Sequence, residues 1–280
     1  MRFKSALAAV IAIGLFAPAT MAEDAPLRPG WSFNLGAYLW LPTMNGTLNY
    51  ALPKGIAGTA DVSVDAGDYF SKLNFAALMA AEIRYENFSL ITDLVHMDIG
   101  ADSSRLRSVD VRGLPSDPLS TSTNSNADTN LKALIITMAG GYTAASGSWG
   151  HMDMVGGFRY FGAELRTDYA LSADITGPGG HGVALARNGR LSGSQDIWNG
   201  IIGIRGRLRL GEGGFFLPYY LDLGTGDSSL TSLMFGGIGY QTGSVGVQLG
   251  YRYLSFDQKG SSLVQDLSMQ GAYLALNYSF

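Results

Sequence analysis

The chain has 280 residues and no cysteine, so it holds neither a disulfide framework nor a site for lipid attachment. Past residue 22 it also lacks any run approaching the roughly 20 apolar residues that a membrane helix requires. Basic residues are few, with 19 Lys and Arg against 23 Asp and Glu, and they form no stripe, which argues against a nucleic-acid partner. Histidine occurs three times, and there is no G-x-S-x-G elbow, H-E-x-x-H pair or clustered metal-ligand spacing. These absences predict a protein with no enzymatic activity, no cofactor and no metal.

What is present begins with an export signal. Met1-Arg2-Phe3-Lys4 is a short basic region, Ser5 to Phe16 is apolar, and Thr20-Met21-Ala22 places small residues at the cleavage positions. Residues 1–22 are therefore expected to be a signal peptide, 23–30 a periplasmic lead-in and 31–280 a single barrel domain. Removing Arg2 and Lys4 takes the formal net charge from -4 to -6. Glycine is abundant (38), as are aromatics (4 Trp, 14 Tyr and 13 Phe). At the C-terminus every second residue is apolar: Ala272, Leu274, Leu276, Tyr278, Phe280. Such a strand shows one face to an apolar medium and the other to a polar one. A terminal aromatic at that period is a mark of bacterial outer-membrane barrels, and Leu276, Tyr278 and Phe280 form the expected barrel-assembly signal.

Ten alternating segments emerge, at about 31–41, 74–86, 88–100, 130–144, 149–163, 196–210, 214–225, 229–241, 244–257 and 266–280. Each matches the ~9–11 or more residues needed to cross a bilayer at a tilt. The prediction is an all-β, antiparallel, up-and-down transmembrane barrel of about 10 strands, with 8 or 12 as alternatives. Short turns at 86–87, 145–148, 211–213 and 242–243 face the periplasm, and polar segments at 42–73, 101–129, 164–195, 226–228 and 258–265, all but 226–228 longer, face outward. Within the first loop, 60–65 alternates like a strand and 68–73 suits one or two helical turns. The stretch 116–130, nearly all Ser, Thr, Asn and Asp, is expected to remain mobile.

Parity then sorts inside from outside. A two-residue turn at Glu86-Asn87 sets Tyr85 opposite Phe88, Ile83 opposite Leu90 and Met79 opposite Leu94 on the lipid face. The other face pairs Arg84 with Ser89 and Ala80 with Asp93; a slip of one residue would put Asp93 into lipid. Extended to the other strands, the rule points six arginines (Arg84, Arg159, Arg205, Arg207, Arg209, Arg252) and four acids (Glu82, Asp93, Asp153, Asp222) into the lumen. Only 229–241 conflicts, because Leu233 and Phe235 are out of phase with Ile238 and Tyr240. In a barrel this narrow, paired charges that brace and largely plug the interior are the first expectation, since unpaired buried charges are costly. The alternative is an anion-selective lining, for which Arg205, Arg207 and Arg209 form a ladder along one strand.

A catalytic reading rests on His96 with Asp98 at the outer rim, near Ser103 or Ser104. His151 with Asp153 reads better as a packed polar pair, and His181 lies in the Gly-rich loop 177–182.

Tyr38-Leu39-Trp40-Leu41-Pro42 with Gly46-Thr47 resembles the first-strand signature of a group of uncharacterised proteobacterial outer-membrane barrel proteins. The similarity continues through 68–73, Thr92-Asp93-Leu94, Gly157-Phe158-Arg159-Tyr160, Pro218-Tyr219-Tyr220-Leu221-Asp222 and Gly250-Tyr251-Arg252-Tyr253-Leu254. The resemblance implies a small monomeric outer-membrane barrel and carries no activity. The expected partners are outer-membrane lipid and, during biogenesis, the barrel-assembly machinery. The expected role is structural or that of a narrow small-solute channel. A surface-binding protein acting through loops 42–73, 101–129 and 164–195 is the alternative, and an enzyme at the rim stands third.

Overall fold

The computed structural model describes the backbone of residues 30–52, 56–67, 73–101, 121–176, 182–258 and 264–280. The expected signal peptide and most of the lead-in lie outside the described residues, as do 68–72, 102–120 and His181. Within them the alternation read from the sequence becomes eleven strands. They are β1 (Trp31–Leu52), β2 (Ile56–Val64), β3 (Leu73–Tyr85), β4 (Phe88–Ala101), β5 (Thr121–Gly147), β6 (Gly150–Thr176), β7 (Gly182–Arg209), β8 (Phe215–Gly226), β9 (Ser228–Thr242), β10 (Val245–Gln258) and β11 (Val264–Ser279).

Ten strands, β1 and β3 to β11, close an antiparallel barrel by the pairing of β11 with β1. That seam runs from Asn34 opposite Ser279 to Leu48 opposite Val264. At its periplasmic end Phe33 and Phe280 exchange backbone hydrogen bonds of 2.9 and 3.0 Å. On its other edge, β1 pairs with β3 from Trp31–Tyr85 to Ala37–Met79, and with β2 from Met44–Val64 to Leu52–Ile56. β2 thus stands above β3 at one place in the ring. The alternation at 60–65 is a strand as far as Val64, but it lengthens an existing wall instead of adding to the count.

The turn at Glu86-Asn87 is tight, with Glu86 at φ 50°, and it delivers the β3–β4 register expected from the sequence, pair for pair from Tyr85–Phe88 to Ala80–Asp93. The outer segments differ from expectation. β5, β6 and β7 contain 27, 27 and 28 residues, and their ladder continues to Thr121–Ile175 and Thr176–Gly182. Residues 121–129 and most of 164–195 are therefore paired strand, and the expectation of a mobile 116–130 fails from Thr121 onward. Beyond the lipid, a strand no longer needs an apolar face, so the backbone ladder persists where the hydrophobic alternation has ended. At about 3.3 Å per residue and a tilt near 40°, 27 residues rise roughly 70 Å, far more than an apolar band of about 25 Å.

The outer wall carries that band. Met79, Ile83, Leu90, Ile202, Leu221, Leu249, Leu274 and Leu276 all project outward and are exposed. Aromatic contacts rim its periplasmic edge: Trp31–Tyr85 at 4.9 Å, Phe88–Tyr142 at 5.3 Å, Phe215–Tyr240 at 4.8 Å and Phe33–Phe280 at 5.5 Å between ring centroids. An outer rim holds Phe75 against His96 (5.8 Å) and Trp198 between Phe158 (5.6 Å) and Tyr160 (4.7 Å). Phe75 and Tyr85, both on β3, separate the two rims by about 25 Å along the membrane normal, the height expected of an apolar band between aromatic girdles.

Candidate functional site in the barrel lumen

All ten charges assigned to the lumen by parity lie on the inner face, and eight of them gather into three groups, with Arg207 and Arg209 lining the cavity below. In the first, Arg84 (β3) donates through Nη2 to Glu82 Oε1 at 2.8 Å and is ion-paired with Asp153 (β6). Thr143 (β5) accepts from Arg84 Nη1 and donates to Asp153 Oδ1, both at 2.7 Å. Arg205 (β7) reaches the second oxygen of Glu82 at 2.5 Å and lies 3.8 Å from Asp153. Two carboxylates thus face two guanidiniums across the bore, and each acid serves more than one donor.

In the second group Arg159 (β6) holds Asp222 (β8) in a two-pronged pair of 3.0 and 2.5 Å, with Thr137 and Thr231 accepting further N–H groups at 3.2 and 3.3 Å. Both side chains are wholly removed from solvent. Such a pair persists only with its remaining polar atoms satisfied, which the two threonines provide. In the third, Arg252 (β10) donates to Asp93 (β4) at 3.1 and 3.2 Å and to the Tyr38 hydroxyl at 3.0 Å; that hydroxyl donates to Asp93 at 2.9 Å. The Arg252 guanidinium also lies 4.7 Å over the Trp40 ring.

Above these groups the lumen is apolar, which the sequence reading did not anticipate. Trp40, Leu78, Val95, Met97, Ile135, Phe161, Ile197, Leu233, Leu254, Phe256 and Met269 pack into one buried cluster inside the ring. Val95, Ile135, Leu254 and Phe256 are 0 % exposed. Every barrel strand except β8 contributes a buried member, so the cluster crosses the whole bore. It also resolves the conflict on β9: Leu233 and Phe235 face inward into this layer, while Met234, Ile238 and Tyr240 face out. The phase there is unbroken; only the assumption of a polar interior was wrong. Apolar residues on both faces at Leu134-Ile135-Ile136 were a second signal of the same layer.

Below the ion pairs a cavity of about 400 Å³ extends to the periplasmic ends of the strands. Arg205, Arg207 and Arg209 line it from β7, Arg84 and Arg252 also contribute, and among the described residues Glu82 and Asp93 are the acids in the lining. Arg207 lies 4.8 Å over the ring of Phe216. His151 lines the same space. Of the candidate catalytic residues, His96 places its ring at a tilt against Phe75 on the outer wall, while Asp98 accepts from Asn74 (3.3 Å) and pairs with Lys132 (3.9 Å). Ser103 and Ser104 lie outside the described residues. Of the C-terminal signal residues, Leu276, Tyr278 and Phe280 all project outward into the apolar band or its periplasmic rim.

No protein-family model matches the sequence, and no curated protein matches it. Solved structures are similar in fold. The outer membrane protease OmpT of Escherichia coli superposes with a TM-score of 0.54 at 11% identity, over 94% of this chain and 99% of that one. Ail, the attachment invasion locus protein of Yersinia pestis, gives 0.34 at 9% identity over 90% and 100%. Neisserial surface protein A gives 0.27 at 12% over 90% and 97%. At these identities the likeness extends to the fold alone. With its lipid-facing band and aromatic rims, the chain is a transmembrane β-barrel of the bacterial outer membrane.

Proposed function

We propose that this protein is a closed, non-catalytic barrel of the surface-binding class, which anchors tall external hairpins in the outer membrane. One observation carries the reading: an apolar layer drawn from nine of the ten barrel strands fills the bore. A solute would have to displace buried Trp40, Ile135 and Leu254 to cross it, and a packed interior deforms reluctantly. The β5–β6–β7 hairpins, built from the longest strands among the described residues, stand well beyond the apolar band.

Cells displaying the full chain should adhere to a surface or a second cell, and cells displaying a chain with residues 166–191 replaced by a tight turn should adhere less at equal outer-membrane yield. Equal adherence would count against the reading. A narrow anion channel is the second reading, supported by the arginine-lined cavity that occupies the periplasmic half of the bore. Membership in the uncharacterised proteobacterial group resembled by the first-strand signature is part of the same proposal.

A further inference from the structure

The tall external sheet has an open side. Trp198 is the last residue of β7 held from the β8 side: it donates to the Asp227 carboxylate at 2.8 Å and accepts from the Asp227 amide at 2.9 Å, where β8 and β9 turn back. From Ile197 up to Gly182, β7 pairs with β6, and no strand among the described residues pairs with its far edge. We propose, resting on the surface-binding reading, that this edge binds an extended acidic segment of a partner polypeptide by strand addition.

Backbone chemistry is the first argument. In an antiparallel ladder, successive residues turn their N–H and C=O groups to alternate sides. Trp198 bonds toward β8, so the even-numbered residues from Ala184 to Asp196 turn both groups to the open edge. None of them is proline, so every donor is present. The row extends roughly 50 Å at about 3.3 Å per residue. Open edges of this length are normally blunted by proline, lysine or a bulge. Residues 182–197 contain neither proline nor lysine, and their ladder with β6 runs in unbroken register from Thr176–Gly182 to Phe161–Ile197. Such an edge is a template that a second extended chain completes.

The second argument is the face that this edge borders. Ile197 and Asn199 are buried in the bore, so the odd-numbered residues of β7 continue the inner face upward. Register places Val183, Leu185 and Leu191 on that face with Tyr169, Leu171 and Ile175 of β6, and places Asp168, Asp174 and Arg190 on the other. The lipid-facing alternation has ended at this height, and the apolar residues fall instead on the inner side. An added strand with an apolar residue at every second position would extend that face by one row, which adds side-chain contacts to the main-chain bonds.

Charge selects among extended chains. Arg187 and Arg190 are the cations of the open segment, against Asp196 as its acid. In register Asp168 stands beside Arg190, whereas Arg187 has Leu171 beside it and Tyr169 and Ala173 on the diagonals. The incoming strand is therefore the neighbour placed to set a carboxylate beside Arg187, and opposite charges on facing strands stabilise while like charges repel. The same two arginines disfavour a second copy of this chain, whose own β7 edge would bring two more.

The test uses the full-length protein in nanodiscs and a fluorescent decapeptide that alternates valine and threonine, with glutamate at two threonine positions, read by anisotropy. It should bind saturably and at least tenfold more tightly than the same peptide with alternate amides N-methylated, or with lysine for glutamate. Asn188→Pro with Ser192→Pro removes two outward donors and spares the ladder with β6, and should weaken binding at least tenfold. If that variant does not refold, Arg187→Glu with Arg190→Glu should reverse the preference toward the lysine peptide. Equal binding of the N-methylated peptide, or unchanged binding by the proline variant, would overturn strand addition; equal binding of the lysine peptide would overturn the acidic partner. Dimers of the wild-type protein that the proline substitutions dissolve would assign the edge to a second copy and overturn the proposal. On cells, the proline variant should lose as much adherence as the chain with 166–191 replaced. Full adherence in the proline variant beside a loss on replacement would overturn strand addition alone, whereas full adherence in both would overturn the surface-binding reading.

Discussion

At the scale of single residues, the interior is held by charges that cannot be separated cheaply. Arg159 and Asp222 are both fully buried, and each is the other's principal neutralising partner. Asp222→Ala should cost about 3–5 kcal/mol, because it strands a buried guanidinium. Replacing both, as Arg159→Met with Asp222→Leu, should return most of that loss, since no charge is then left without a partner. Urea unfolding in lipid vesicles reads both quantities; an equal loss in the single and double variants would contradict the argument. Gly239 makes a second test. A Cβ there would fall 2.6 and 2.8 Å from Phe216 ring atoms, and Phe216 carries Arg207 over its face. Gly239→Val should destabilise by about 1–3 kcal/mol through overpacking, again read by unfolding. Parity in the sequence was enough to point these charges inward. It could not pair Arg159 with Asp222 or Arg252 with Asp93, because partners lie 63 and 159 residues apart and depend on the ring order of strands.

At the scale of strands, legibility follows the solvent. Where a strand crosses lipid, its outward residues must be apolar, and β3, β4, β10 and β11 were readable almost to the residue. Where β5, β6 and β7 leave the membrane, that demand ends, and their outer halves look like loop composition although they are paired. On β9 the difficulty was reversed, since apolar residues serve both the lipid face and the lumen layer. The lipid-facing assignment is testable on β10, where Leu249 projects outward and its neighbour Gln248 lines the lumen. Leu249→Arg should cost about 2–4 kcal/mol in bilayer unfolding, and Gln248→Arg should cost clearly less. A larger penalty at Gln248 would mean that the faces are inverted.

At the scale of the whole molecule, the barrel is a wall around a layered plug, with an apolar layer above ion-pair groups and an arginine-lined cavity beneath. Each layer has its own energetic logic. Burial of apolar side chains stabilises the upper one, and paired charges brace the middle one. The central claim is that the bore is sealed by the apolar layer, and planar-bilayer recording of the refolded protein tests it most directly. The wild-type chain should show no conductance steps, whereas a chain in which Ile135, Leu254 and Phe256 are all changed to glycine, emptying the layer, should open to ions. Stable steps in the wild-type protein that persist unchanged in that variant would contradict the account.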